Sequence, residues 1–127
     1  MSIQTTIDLL QSANSPARNL DLAIAELVGW QKATKVIPDS AGGEDRKTEV
    51  WFLPSGKEGA RVPSYTSNMQ HAFELAQSIA PYMAIGYSWE DAKGSARIDD
   101  GPYIQSVNPQ IALCIAALME LQKSTED

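Results

Sequence analysis

The sequence predicts an α+β domain in which a small antiparallel sheet lies between helical layers, a three-layer α-β-α sandwich. Four segments repeat apolar residues at helical spacing, and short aromatic strands fall between the second and last of them. The best strand, Tyr82 to Trp89, carries apolar or small residues on both faces, as a sheet covered on both sides requires. The 127 residues, 43% hydrophobic and 20% charged, suit one domain over residues 1–127.

The first helix is expected from a Thr6 cap to Ser12, with Ile3, Ile7 and Leu10 on one face, before Ser15-Pro16 breaks it. In the second, Asn19 is the expected cap, and Leu20, Ala23, Ile24, Leu27 and Val28 share a face. Gly29 closes it in the left-handed conformation, with Trp30 as the following hydrophobic contact. The third helix opens on a capping box, Ser67-x-x-Gln70, and Pro81 stops it. Its buried stripe is Met69, Ala72, Phe73, Ala76, Ile79 and Ala80. The fourth opens at Asn108-Pro109 and is apolar nearly all round from Ile111 to Leu121, which places it at the centre of the packing or against a second subunit. Strands are expected over Glu49–Leu53, Tyr82–Trp89, Ser95–Asp99 and Tyr103–Val107, with flexible loops at 38–47 and 54–60.

Composition excludes several functions. The net charge is −6 and basic residues form no stripe, so nucleic acid is not an expected partner. The longest uncharged apolar stretch, Ile111 to Met119, is too short to cross a bilayer. The start of the chain has no basic residue before its first apolar one, and Cys114 is the single cysteine; both suit the cytoplasm.

Residues able to carry chemistry are few. His71, the single histidine, falls opposite the buried stripe beside Glu74 and Ser78, and no second histidine or cysteine pair completes a metal site. Cys114 lies in the most apolar segment, where burial suppresses the thiolate. Nucleophile-elbow, phosphate-loop and dinucleotide motifs are absent, so neither a cofactor nor a metal is expected. The acidic pairs Glu90-Asp91 and Asp99-Asp100 fall in turns at opposite ends of one strand. Aromatic residues at strand ends remain, and Trp51, Tyr65, Thr66 and Trp89 are the candidate ligand-binding positions.

Three blocks resemble the phage ABA-sandwich domain of phage and prophage proteins. They are Ser15-Pro16-Ala17-Arg18-Asn19-Leu20-Asp21-Leu22-Ala23-Ile24-Ala25 ending in Gly29-Trp30, Val62-Pro63-Ser64-Tyr65-Thr66-Ser67-Asn68, and Asn108-Pro109-Gln110-Ile111-Ala112-Leu113-Cys114. The blocks keep the family's order, with Asn108 in place of the more usual Thr. The resemblance implies a sheet between helical layers and a phage or prophage origin, and no catalytic residues.

The expected function is that of a non-enzymatic accessory protein binding a protein or small metabolite, with the two apolar faces of the last helix suggesting a homodimer. The alternative is a small hydrolase-like enzyme with an acid and aromatic site near Tyr65, Trp89 and Asp99.

Overall fold

The computed structural model describes residues 2–59 and 61–125. Four helices form where the apolar spacing places them: α1 (Ile3–Ser12), α2 (Arg18–Leu27), α3 (Met69–Ile79) and α4 (Pro109–Thr125). Their caps differ from expectation at three of the four starts. Ser2, not Thr6, caps α1 by accepting the Thr5 N–H, while Thr6 is buried inside the helix and donates its hydroxyl to the Ser2 carbonyl. Asn68, not Ser67, caps α3 by accepting the His71 N–H at 3.1 Å, and Gln70 donates to Glu74 instead of reaching back. Asn19 does not cap α2, which starts at Arg18 behind Ala17, two residues earlier than expected, with no side-chain cap of its own. The fourth start agrees: Asn108 Oδ1 accepts the Ile111 N–H at 2.7 Å behind Pro109. Gly29 ends α2 at φ +104°, with Trp30 N–H on the Ala25 carbonyl and Gly29 N–H on the Glu26 carbonyl, a Schellman closure.

α4 is the centre of the packing. Every residue from Pro109 to Leu118 except Gln110 is buried. One side meets α3 and α1, and the other meets the strands β4 (Ile85–Glu90), β5 (Lys93–Ile98) and β6 (Ile104–Ser106). The apolar sides that suggested a subunit interface are therefore covered within the chain.

The strands form two antiparallel sheets of three, not one. In the sheet ordered β4-β5-β6, Gly94, Ala96 and Ile98 of β5 are buried against α4, while Ser95 and Arg97 face away on a side no described element covers. The middle layer is thus the helix α4, with sheet on one side of it and helices on the other. A Cβ on Gly94 would overlap Pro109 N and the Asn108 backbone, so glycine is what lets β5 lie against the start of α4. The β4–β5 turn is tighter than the five-residue turn expected at 90–94. Glu90 pairs with Lys93, leaving Asp91 (φ 49°) and Ala92 (φ 62°) as a two-residue left-handed turn.

The other sheet contains a strand unforeseen in the sequence. β1 (Gln31–Ile37) pairs in continuous register with β2 (Arg46–Phe52), and β3 (Glu58–Gly59) pairs with the end of β2. Arg46 and Lys47 thus belong to a strand and not to a loop, as do Glu58 and Gly59; Ala60 lies outside the described residues. The β1–β2 ribbon is exposed along most of its length and joins the core only at its base, through Trp30 and Trp51. Lys32–Glu49 and Lys35–Glu58 ion pairs cross it.

The segment 62–68 ties the helices together without being a helix or strand. The Asp21 carboxylate, buried in the first turn of α2, accepts the Thr66 N–H at 2.8 Å and the Thr66 hydroxyl at 2.7 Å. Arg18 pairs with Asp21 at 3.2 Å and donates to the Pro63 and Val62 carbonyls. Thr66 Oγ1 accepts the Ala17 N–H, supplying from a distant segment the cap that α2 lacks, and Asn108 Nδ2 donates to the Thr66 carbonyl.

Asp21→Ala leaves the Thr66 donors and the Arg18 charge without their acceptor, and is expected to cost about 3–5 kcal/mol. Thr66→Val, which retains the N–H bond, is expected to cost about 1–3 kcal/mol. Urea midpoints of the two variants at unchanged slope check both values and their order. Ala92→Gly relieves the left-handed alanine and is expected to stabilise by about 0.5–1 kcal/mol after the entropy cost of glycine, read as a higher midpoint in the same experiment.

Candidate functional site

A concavity of about 720 Å³ opens between the end of α2, one face of α3 and the base of the β1–β2 ribbon. The Schellman turn at Gly29 directs the chain so that Trp30 forms one wall, and Pro54 packs closely against Gly29 from the ribbon side. Leu27, Val28, Leu75, Ile79 and Leu121 make the rest of an apolar lining. Polar groups enter from α3, where His71, Glu74 and Ser78 share a face at i, i+3 and i+7, and from Tyr65.

His71 is half-buried, not solvated as its helix position suggested, because the 62–66 segment crosses that face of α3. Its Nδ1 accepts the Ser64 N–H at 2.8 Å, which leaves Nε2 as the protonated nitrogen of a neutral ring. No hydrogen bond joins His71 to Glu74 among the described residues, and Glu74 is exposed. Burial, with contributions from Cys114, Asp21 and Glu74 and against a hydrogen bond from Trp30, pushes the Tyr65 phenol up to about 12. At neutral pH it is therefore a hydrogen-bonding group and not a base.

Of the four candidate positions, only Tyr65 reaches this cleft. Thr66 is 1% exposed and fully engaged with Asp21, Ala17 and Asn108, so its role is structural. Trp51 is half-buried at the ribbon base, packed on the core and paired across the strand with Lys32. Trp89 is 59% exposed at the far end of β4, on a different part of the surface. The acid and aromatic site of the enzymatic alternative is not assembled. Asp99 sits at the opposite end of the β4–β5 hairpin from Trp89, and its carboxylate accepts the Ala84 N–H at 2.7 Å. Neither residue lines the cleft of Tyr65.

The cleft residues that sequence reasoning left out are Trp30, His71 and Glu74. The shared helix face of His71, Glu74 and Ser78 was legible, but that Trp30 and Pro63 come over it is a tertiary event with no local signal. Among the described residues no cluster of three or more metal-ligating side chains occurs, and no helix is long and apolar enough to cross a membrane. Comparison of the chain with protein-family models, with curated proteins and with solved structures gave no match.

The arrangement supplies an apolar slot with one N–H donor and one carboxylate acceptor at its edge. That suits recognition of a flat apolar group carrying a donor or cation more than proton transfer.

Cys114 lies elsewhere, fully buried in α4 with its Sγ against the Tyr65 carbonyl at 3.4 Å. Burial, reinforced by the Asp21 charge, pushes its thiol well above the ordinary range. The native protein is expected to resist alkylation by iodoacetamide at pH 8 and to label stoichiometrically once unfolded in urea, as intact mass would show.

Proposed function

We propose that this chain is a small non-enzymatic accessory protein that acts by binding, with its target entering the cleft beside α3. The observation that carries the reading is the cleft itself: its volume of about 720 Å³ falls within the range of small-molecule sites, and its lining is apolar with few polar groups. The target is a flat apolar group bearing an amine or other donor, either a metabolite or a side chain of a protein partner. Trp30 and Pro63 offer faces to the apolar part and the Glu74 carboxylate takes the donor. The resemblance to the phage ABA-sandwich domain adds a phage or prophage origin and the cytoplasm of a bacterial host to the proposal. A sheet between two helical layers would then arise only if a partner laid helices on the open face carrying Ser95 and Arg97. Catalysis is disfavoured because the one imidazole has its Nδ1 occupied by the Ser64 N–H and no carboxylate bonded to it among the described residues.

Titration of isotopically labelled protein with small aromatic amines, and with matched aromatic carboxylates, tests this. The amines are expected to shift the amide resonances of His71, Glu74 and Ser78 and the carboxylates are not. Glu74→Gln is expected to weaken amine binding about tenfold, the loss of one charge-assisted contact, while leaving the melting temperature unchanged. Equal response to both classes, or shifts confined to other surfaces, would contradict the assignment of the cleft.

A further inference from the structure

The edges of the two sheets are protected unequally. β3 and β6 are two and three residues long, and β1, seven residues long, carries Lys32 and Lys35. Short or lysine-bearing edges of this kind discourage pairing with another chain. β4 has none of these protections. Its six residues, Ile85-Gly86-Tyr87-Ser88-Trp89-Glu90, contain no proline or lysine, run in unbroken register with β5, and leave the other edge of the strand unpaired among the described residues. All but Ile85 are exposed.

The side chains along this edge are large and apolar. Tyr87 and Trp89 pair across the ladder with the buried Ala96 and Gly94, so they stand on the α4 side of the sheet, yet they remain 49% and 59% exposed beyond the helix. Tyr82, just before the strand, is 99% exposed.

The opposite face holds an unfilled charge. Arg97 stacks on Tyr103 with its guanidinium 5.0 Å from the ring centre and donates to the Gly101 carbonyl, but no carboxylate pairs with it among the described residues. Beside it lies a slot of about 200 Å³ over Gly86, bounded by Tyr87, Ser88, Ser95, Arg97 and Tyr103. A Cβ on Gly86 would meet no described atom within 4 Å outside its chain neighbours.

We propose that the protein forms a two-fold homodimer by antiparallel pairing of β4 with β4 of a second copy, Ser88 facing Ser88 across the axis. This register joins the two sheets into one of six strands. It sets Tyr87 opposite Trp89 of the second copy, twice, making cross-strand aromatic pairs between the two α4 helices. It also sets Glu90 of the second copy opposite Gly86, in the same row as Arg97 and about 10 Å from it across two strand spacings. The missing side chain at Gly86 leaves the Glu90 carboxylate a path over the slot to the Arg97 guanidinium. The two Glu90 residues lie about 13 Å apart along the strand, beyond the screening length at physiological salt, so the like charges do not oppose the pairing. The occupant is a second copy because the edge supplies both halves of each contact, aromatic to aromatic and Glu90 to Arg97.

Sedimentation velocity and an engineered crosslink test this together. The unaltered chain is expected to sediment as a dimer at micromolar to high-micromolar concentration. Tyr87→Lys, at an exposed position, is expected to weaken the dimer on the order of tenfold or more while keeping the melting temperature measured at dilutions where both chains are monomeric. Glu90→Lys and Arg97→Glu are each expected to weaken it, and the two together to restore it. Ser88→Cys is expected to crosslink under mild oxidation, since facing residues of an antiparallel pair bring their Cα atoms to about 4.5–5.5 Å, while the exposed control Ser55→Cys stays uncrosslinked. Buried Cys114 does not interfere. Because Arg97 also serves Gly101, the crosslink decides if the charge-reversed variant fails to fold. A monomer at every concentration overturns the proposal, as does a dimer that Tyr87→Lys leaves intact or that Ser88→Cys does not link.

Discussion

The fold depends on one buried carboxylate. Asp21, one turn into α2, holds Thr66 by backbone and hydroxyl at once and shares Arg18 with the carbonyls of Val62 and Pro63. A segment with no secondary structure has no ladder to satisfy its own polar groups, and burying it is tolerable only where side chains do so. Asp21 and Arg18 from α2 and Asn108 at the start of α4 meet that demand. Once the segment is fixed, Tyr65 lines the cleft and Ser64 presents its N–H to His71. Three stretches far apart in sequence, 17–21, 62–66 and the start of α4 at Asn108, meet in this cluster, so these residues have a structural task whatever the chain binds.

α4 is the second constraint. Its apolar residues on all sides demand cover all round, and the chain supplies it with helices on one side and β4-β5-β6 on the other. A helix in the middle leaves the sheet as an outer layer with one face in water. Helix cover does not extend past β5 far enough to shield Tyr87 and Trp89. The exposed aromatics thus follow from geometry: one helix of about 10 Å diameter cannot cover a three-stranded sheet roughly as wide together with the side chains beyond its edge strand.

The helices and the central place of α4 were legible because burial imposes a period that residues either obey or break. Cap positions were less so: Thr6, Asn19 and Ser67 are all good cap types, but α2 is capped by Thr66, which lies 49 residues from Ala17. β1 left no trace, since Gln31-Lys32-Ala33-Thr34-Lys35-Val36-Ile37 is exposed on both faces and exists as a strand through pairing with β2. The Tyr82–Trp89 pattern showed a strand and misled on its cover, because an aromatic residue beside a sheet edge has the same sequence signature as one in a core. Thr66 reads as a ligand group in the sequence for a related reason: a polar residue beside an aromatic one in a connecting segment looks alike whether it faces a ligand or a buried aspartate, and here it faces Asp21.

If the Asp21–Thr66 link organises the helices, the Thr66 amide opens only when the whole domain unfolds. Native-state hydrogen exchange reads this directly. The Thr66 N–H is predicted to exchange in the slowest class, together with the buried amides of α4 such as that of Ile115. Exchange of Thr66 as fast as the exposed ribbon amides of Thr34 and Thr48 would show that the segment opens independently, and that the fold does not depend on it.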